Sequence, residues 1–153
     1  MIGLPRGVVQ LVPYTTEWIR LFEAEKARLQ AAIGEHVLDI QHVGSTAIPG
    51  MIAKPIIDIG IAVEAFEEAR VCVQPVESLG YEYRGEQGIP RRHYFVKGDP
   101  RIHHIHMNEV AVETGRTKCC FETTWLGIRS WLRNMPRSSR TWQSVIRWTV
   151  RRT

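Results

Sequence analysis

Apolar and polar positions change period several times along this chain, and each change marks an element. Residues 7–12 form a short β-prone run closed by Pro13. Thr15 or Thr16 then offers a helix cap, with Glu17 in the first turn. Trp18, Leu21, Phe22, Leu29, Ala32 and Ile33 recur at helical spacing until Gly34 ends the pattern. Glu23, Glu25, Lys26 and Arg28 occupy the intervening positions and read as the solvated face. Residues 37–43 return to a strand pattern that runs into Gly44-Ser45. After a loop of small residues and prolines, an isoleucine-rich strand follows and carries Asp58.

The second half repeats the alternation. Residues 66–79 read as a second helix, with Glu64, Glu67 and Glu68 near its start, where the helix dipole favours acids. Pro75 marks a kink in it, and Gly80 closes it. Residues 81–84, 93–97 and 102–112 read as strands, separated by a loop at 85–90 and a Gly98-Asp99-Pro100 turn. An α/β start followed by hairpin-like strands predicts an α/β (α+β) domain, a mixed sheet with helices packed on it. No internal repeat or long linker divides it.

Composition changes this picture at one end only. The 153 residues are 44% apolar and 24% charged, enough for one domain with a core. No run of eighteen apolar residues exists, so no membrane partner is expected. The N-terminus lacks a signal-peptide pattern, and three cysteines give no even disulfide set; a reduced, cytoplasmic protein is the expectation. The net charge of +4 hides a break. Residues 118–153 carry Lys118 and seven arginines against Glu122 alone, with four of the five tryptophans, while residues 1–117 are net acidic.

Candidate chemistry gathers around residues 42–63. Gly44 lets backbone approach a ligand closely, Ser45 offers a hydroxyl and an amide to a phosphate, and Lys54 adds a point charge. Asp58 points opposite to Ile57 and Ile59, and a carboxylate in so apolar a strand needs a partner, a divalent metal being one. The plainer alternative is a simple turn and a structural carboxylate. Farther on, His104, His106 and Asn108 share one strand face, while His103, Ile105 and Met107 share the other. Histidines at spacing two can bind one transition metal or be half-buried and hydrogen-bonded; beside the Asp58 strand they make an Asp58–His104–His106 cluster, with Asp58 and His106 as the catalytic candidates. His36 and His93 read as structural. Arg84, Arg91 and Arg92 flank the 85–90 loop, either to hold a phosphate or as a solvated loop.

The Gly-Ser pair before a carboxylate-bearing strand resembles the nucleotidyltransferase fold of the DNA polymerase β superfamily. More closely, the chain resembles the GrpB-like family of small proteins placed in that superfamily. The resemblance runs through Val12-Pro13-Tyr14, Trp18, Phe22, His42-Val43-Gly44-Ser45-Thr46, Pro49-Gly50 and residues 53–59. It continues in Leu79-Gly80-Tyr81, Gly88-Ile89-Pro90, residues 94–98 and His103-His104-Ile105-His106, and it covers residues 8–109. It implies a nucleotidyltransferase-like domain over residues 1–117 that binds a nucleotide or another phosphate-containing molecule with a divalent metal, magnesium or a transition metal. Gly44, Ser45, Lys54 and Arg92 would contact phosphate, and Asp58, His104 and His106 the metal. Gly60 stands where the superfamily places its second carboxylate, and two-metal chemistry uses several acids to hold cations about 3.5–4 Å apart. A non-catalytic accessory module is therefore the alternative, and GrpB-like domains fused to a coenzyme A biosynthesis kinase point the same way.

The resemblance stops at residues 109–117. Family members continue with a helix beginning Leu-Phe-Arg-Asp-Tyr-Leu, a His-Pro-Glu-Leu turn, and a second helix with Tyr-x-x-Leu-Lys. Joining the third base of each codon to the first two of the next lets Lys118 to Trp125 read Met-Leu-Phe-Arg-Asp-Tyr-Leu. The later residues allow the remaining motifs. Residues from about 117 onward are therefore expected to be an out-of-frame translation that replaces two helices. A basic, Trp-rich nucleic-acid-binding arm is the rival reading. It is disfavoured because one shifted frame explains both the composition and the lost resemblance. Sequencing the gene decides between them: a single insertion or deletion near codons 110–118 should restore both helices, and its absence refutes the shift.

Overall fold

Ile57, Ile59 and Ile61 lie on one face of their strand and are at most 1% exposed. Burial of each is worth about 2 kcal/mol. Because side chains alternate, a slip of one residue would expose all three and drive Asp58 into the core, so this strand has only one acceptable register. The computed structural model describes residues 2–109, and in backbone alone two short strands further on. The expectation of an out-of-frame tail falls, from residue 119 onward, outside the described residues.

Around that strand, β2 (Ile57–Val63), the chain builds a five-stranded mixed sheet. Its partners are β1 (Asp39–Val43), β3 (Tyr81–Tyr83), β4 (Arg92–Lys97) and β5 (His103–Glu109), in the order β1-β2-β5-β4-β3. Only the β2–β5 pair is parallel, and the crossover between these strands carries α2 (Val73–Ser78), β3 and β4. A separate hairpin joins β6 (Ala111–Glu113) and β7 (Arg116–Lys118). This is the mixed α+β sheet expected from the sequence.

The helix α1 (Glu17–Ile33) buries Phe22, Leu29 and Ile33 in the core with the isoleucine face, and Trp18 is buried edge-on to Tyr14. The second helix is shorter than predicted. Residues Glu68–Cys72 form a 3-10 turn, and α2 begins only at Val73. Pro75 thus falls in the first turn of α2, where a missing N–H costs no helical bond, rather than at a kink. The predicted strand at 7–12 is reduced to an isolated bridge between Val12 and Ala53, and Val9 and Leu11 are exposed.

Glu25 contradicts the expected solvated face. It is 5% exposed, and its Oε1 accepts hydrogen bonds from Tyr81 Oη at 2.9 Å and Lys97 Nζ at 2.6 Å. Burial penalises the Glu25 carboxylate, but these two donors outweigh it and hold the pKa below the ordinary value. Its spacing, three after Phe22 and four before Leu29, places Glu25 on the buried stripe of α1, so helical period itself goes against the solvated reading; only its partners, on β3 and β4, lie beyond what period shows. The cluster ties α1 to the far side of the sheet. His93 is structural as expected: its Nε2 donates to the Phe66 carbonyl, and Tyr83 Oη donates to its Nδ1, both at 2.8 Å. Cys72 is free and buried. Among the described residues, no helix is long and apolar enough to cross a membrane.

Candidate functional site

The residues left on the other sheet face are mostly polar, and the register fixes their neighbours. Val43, Asp58 and His104 form one row across β1, β2 and β5; Gln41, Gly60 and His106 form the next. The parallel pairing thus brings together the carboxylate and histidines predicted to meet. His104 Nδ1 and His106 Nε2 each lie 3.3 Å from Asp58 Oδ1. One potential ligand atom from each residue falls within 4.8 Å of the others. His106 reaches Asp58 along a diagonal, a span that aromatic side chains cover, and the position directly beside it, Gly60, has no side chain.

Burial raises the pKa of Asp58, but the adjacent His104 and His106 rings outweigh that effect and hold it at about 2. Asp58 is therefore an anion at every physiological pH, and the rings are its partners among the described residues. The proton placement on His106 follows from its other neighbour. Arg92 Nη1 lies 3.2 Å from His106 Nδ1, and a guanidinium can only donate. Nδ1 therefore accepts, and the ring proton sits on Nε2, facing Asp58. His104 Nε2 is buried without a hydrogen-bond partner among the described residues.

The loop after β1 closes over this carboxylate. Gly44 has φ +77°, and a Cβ built there would stand 2.9 Å from Asp58 Oδ2 and 3.3 Å from its Cβ. Only glycine satisfies both the positive φ and the close approach. His42 anchors the loop from the opposite face: it stacks on Phe22 and shares a 3.0 Å hydrogen bond with the buried Thr46 hydroxyl. Burial pushes the His42 ring down to about 4, so it stays neutral.

The other predicted residues divide. Ser45 follows directly in the turn over the site. Lys54 is exposed, and no hydrogen bond or ion pair among the described residues ties it to Asp58. Arg92 is 7% exposed and already donates to the Glu86 and Gln87 carbonyls as well as to His106. Its guanidinium also lies 4.7 Å from the centre of the Tyr94 ring. It supports the histidine rather than standing free for a phosphate. Arg91 pairs with Glu67 and Glu109, and Arg84 with Glu82. Sequence reasoning missed Tyr94, which pairs with His106 in register and whose ring centre lies 5.3 Å from that of His106 and 5.6 Å from that of His104. Its place on the same strand parity as Arg92 was the available signal.

A Gly-Ser loop standing over a strand carboxylate in a mixed sheet makes an α+β domain that agrees with the fold the resemblance implies. The chain belongs to the GrpB protein family, whose model matches residues 8–152, a longer span than the motifs at residues 8–109. The UPF0157 protein YqkA of Bacillus subtilis is 42% identical over 106 residues, 69% of this chain and 31% of that protein. A dephospho-CoA kinase of Mycolicibacterium paratuberculosis is 41% identical over 81 residues, 51% of this chain and 20% of the kinase. The crystal structure of GrpB from Enterococcus faecalis superposes with a TM-score of 0.62 at 38% identity, covering 65% of this chain and 61% of that one. The chain spans only about a third of the length of YqkA.

The lowered Asp58 pKa has a measurable consequence in metal-free buffer. Its contribution of roughly 2 kcal/mol is fully present above pH about 4 and is lost as the pH falls towards 2. Urea midpoints measured across this range should fall more steeply for the native chain than for Asp58→Asn. Parallel curves would show that the rings do not hold the carboxylate.

Proposed function

We propose that the protein binds a phosphate ester of the nucleotide class, with a single divalent transition metal held by Asp58, His104 and His106. The observation that carries this reading is the convergence of their three ligand atoms within 4.8 Å. Two imidazoles and a carboxylate suit zinc and its neighbours, whereas magnesium takes oxygen ligands and retains waters. The donor set therefore favours the transition-metal half of the expectation over magnesium. Such a metal would polarise a phosphoryl oxygen. The chain's own residues do the rest. Gly44 keeps the loop low over the carboxylate, Ser45 presents a hydroxyl and an amide to the phosphate, and Arg92 orients His106. The similarity to part of a dephospho-CoA kinase supports a place near nucleotide chemistry.

One observation favours a second reading, a non-catalytic binding module without a metal. A metal on His106 Nε2 displaces the proton that faces Asp58. Metal-bound imidazoles ordinarily donate through the other nitrogen, but Arg92 offers that nitrogen a donor. Arg92 and the metal therefore oppose each other across one ring.

Calorimetric titration with zinc and manganese separates the readings. One zinc should bind per chain, with affinity lowered at least about tenfold in Asp58→Asn. Arg92→Gln, whose amide oxygen can accept from Nδ1, should bind zinc more tightly than the native chain. Absence of binding by any divalent cation, in the native chain and in Arg92→Gln alike, would leave the metal-free module.

A further inference from the structure

Beyond Tyr94 the same sheet face opens into a cleft of about 620 Å³, lined by Arg6, Arg84 and Arg101 together with Gln87, Tyr94 and Asp99. Three distant parts of the chain supply the arginines. Leu4 and Arg101 bridge backbone to backbone, at 2.9 and 3.1 Å, and this carries Arg6 across to the turn between β4 and β5. Arg84 follows β3, its amide bound to the Tyr94 carbonyl at 2.8 Å.

Three arginines meet two carboxylates in the cleft, Glu82 and Asp99, an excess of one positive charge. Glu82 also lines it and pairs with Arg84 at 2.7 Å, but Glu82 is largely exposed, where such a pair is worth little. Arg6 and Arg101 make no ion pair among the described residues. Arg84 Nε and Arg101 Nε are both buried without a hydrogen-bond partner, a condition that costs energy unless an acceptor arrives. Two guanidinium forks with free donors match the oxygens of a phosphate group.

The cleft and the Asp58 site share one row of the sheet. Asp58, His104, Val96 and Glu82 are consecutive register partners on β2, β5, β4 and β3. Two strand spacings separate Asp58 from β4, about 10 Å. Tyr94 stands between, its ring against both histidines on one side and lining the cleft on the other.

We propose that this cleft is an anion subsite for a phosphate or diphosphate group, placed on the side of the Asp58–His104–His106 cluster away from Gly44-Ser45. Its ligand is a nucleoside-phosphate-sized molecule with one end in the cleft and the other at the cluster. The anion subsite stands on the arginines alone; only the reach to the cluster rests on the function proposed above. Tyr94 supplies the flat surface between the two ends.

Inorganic pyrophosphate, titrated calorimetrically into the full chain with chelator present, tests the subsite without any metal. It should bind, with affinity falling as salt rises. Arg6→Gln, at an exposed position that does not support the fold, should weaken it several-fold. The pair Arg84→Gln and Arg101→Gln should weaken it at least about tenfold, the loss of charge-assisted bonds to two guanidiniums. Arg70→Gln, an exposed arginine outside the cleft, should leave affinity unchanged. No binding by the native chain overturns the proposal, as does an equal loss in Arg70→Gln, which would mean net charge alone is sensed. Zinc binding without pyrophosphate binding refutes the subsite and spares the metal site; pyrophosphate binding without zinc binding does the reverse.

Discussion

A single carboxylate in an isoleucine strand sets the terms for this domain. Asp58 is fixed on its face by the burial of Ile57, Ile59 and Ile61 on the other, so the fold cannot remove it without losing its core. An anion in that position has to be stabilised, and the structure does so with the rings of His104 and His106 rather than with a lysine or an arginine. Everything else at the site follows from accommodating that choice. Gly44 is needed because the loop passes within contact distance of the carboxylate. The bare position at Gly60 lies beside His106 as it leans towards Asp58. Arg92 sets which nitrogen of His106 carries the proton.

The same arrangement explains why the site departs from a two-metal centre. A second acid at position 60 would stand directly beside His106, and the carboxylate-rich surroundings that hold two cations would replace the imidazoles. This chain has the opposite composition: one acid, two imidazoles, and cations further out. Cations lie beyond Tyr94, where Arg84 and Arg101 stand beside the row that runs from Asp58 to Glu82 on β3. Charge laid out in that order suits a ligand whose anionic end is remote from the cluster.

Much of this was legible in the residues, because it depends on the two-residue period of strands. The parity of Asp58 against its isoleucines, and of His104 and His106 against Ile105 and Met107, held in the structure without change. The pairing of those two strands was a condition, not a derivation, since adjacency is set by a crossover some forty residues long. Where position along an element does not determine surroundings, the sequence was silent. Glu25 falls on the buried stripe of α1 between Phe22 and Leu29, but nothing along the chain names Lys97 and Tyr81, from strands packed beneath it, as its partners. Arg6 and Arg101 meet only because a two-residue bridge joins segments almost a hundred residues apart. Arg92, expected to contact phosphate, turns its guanidinium inward onto loop carbonyls and a histidine, an orientation that position along the strand does not determine.

Asp58 and the two imidazoles form one coupled unit, and long-range proton–nitrogen NMR correlation of the histidine rings can test that coupling residue by residue. In the metal-free protein, His106 should appear as the Nε2-protonated tautomer, and the His104 and His106 ring signals should both move in Asp58→Asn while His93 stays in place. An Nδ1-protonated His106, or rings indifferent to the loss of the Asp58 charge, would contradict it.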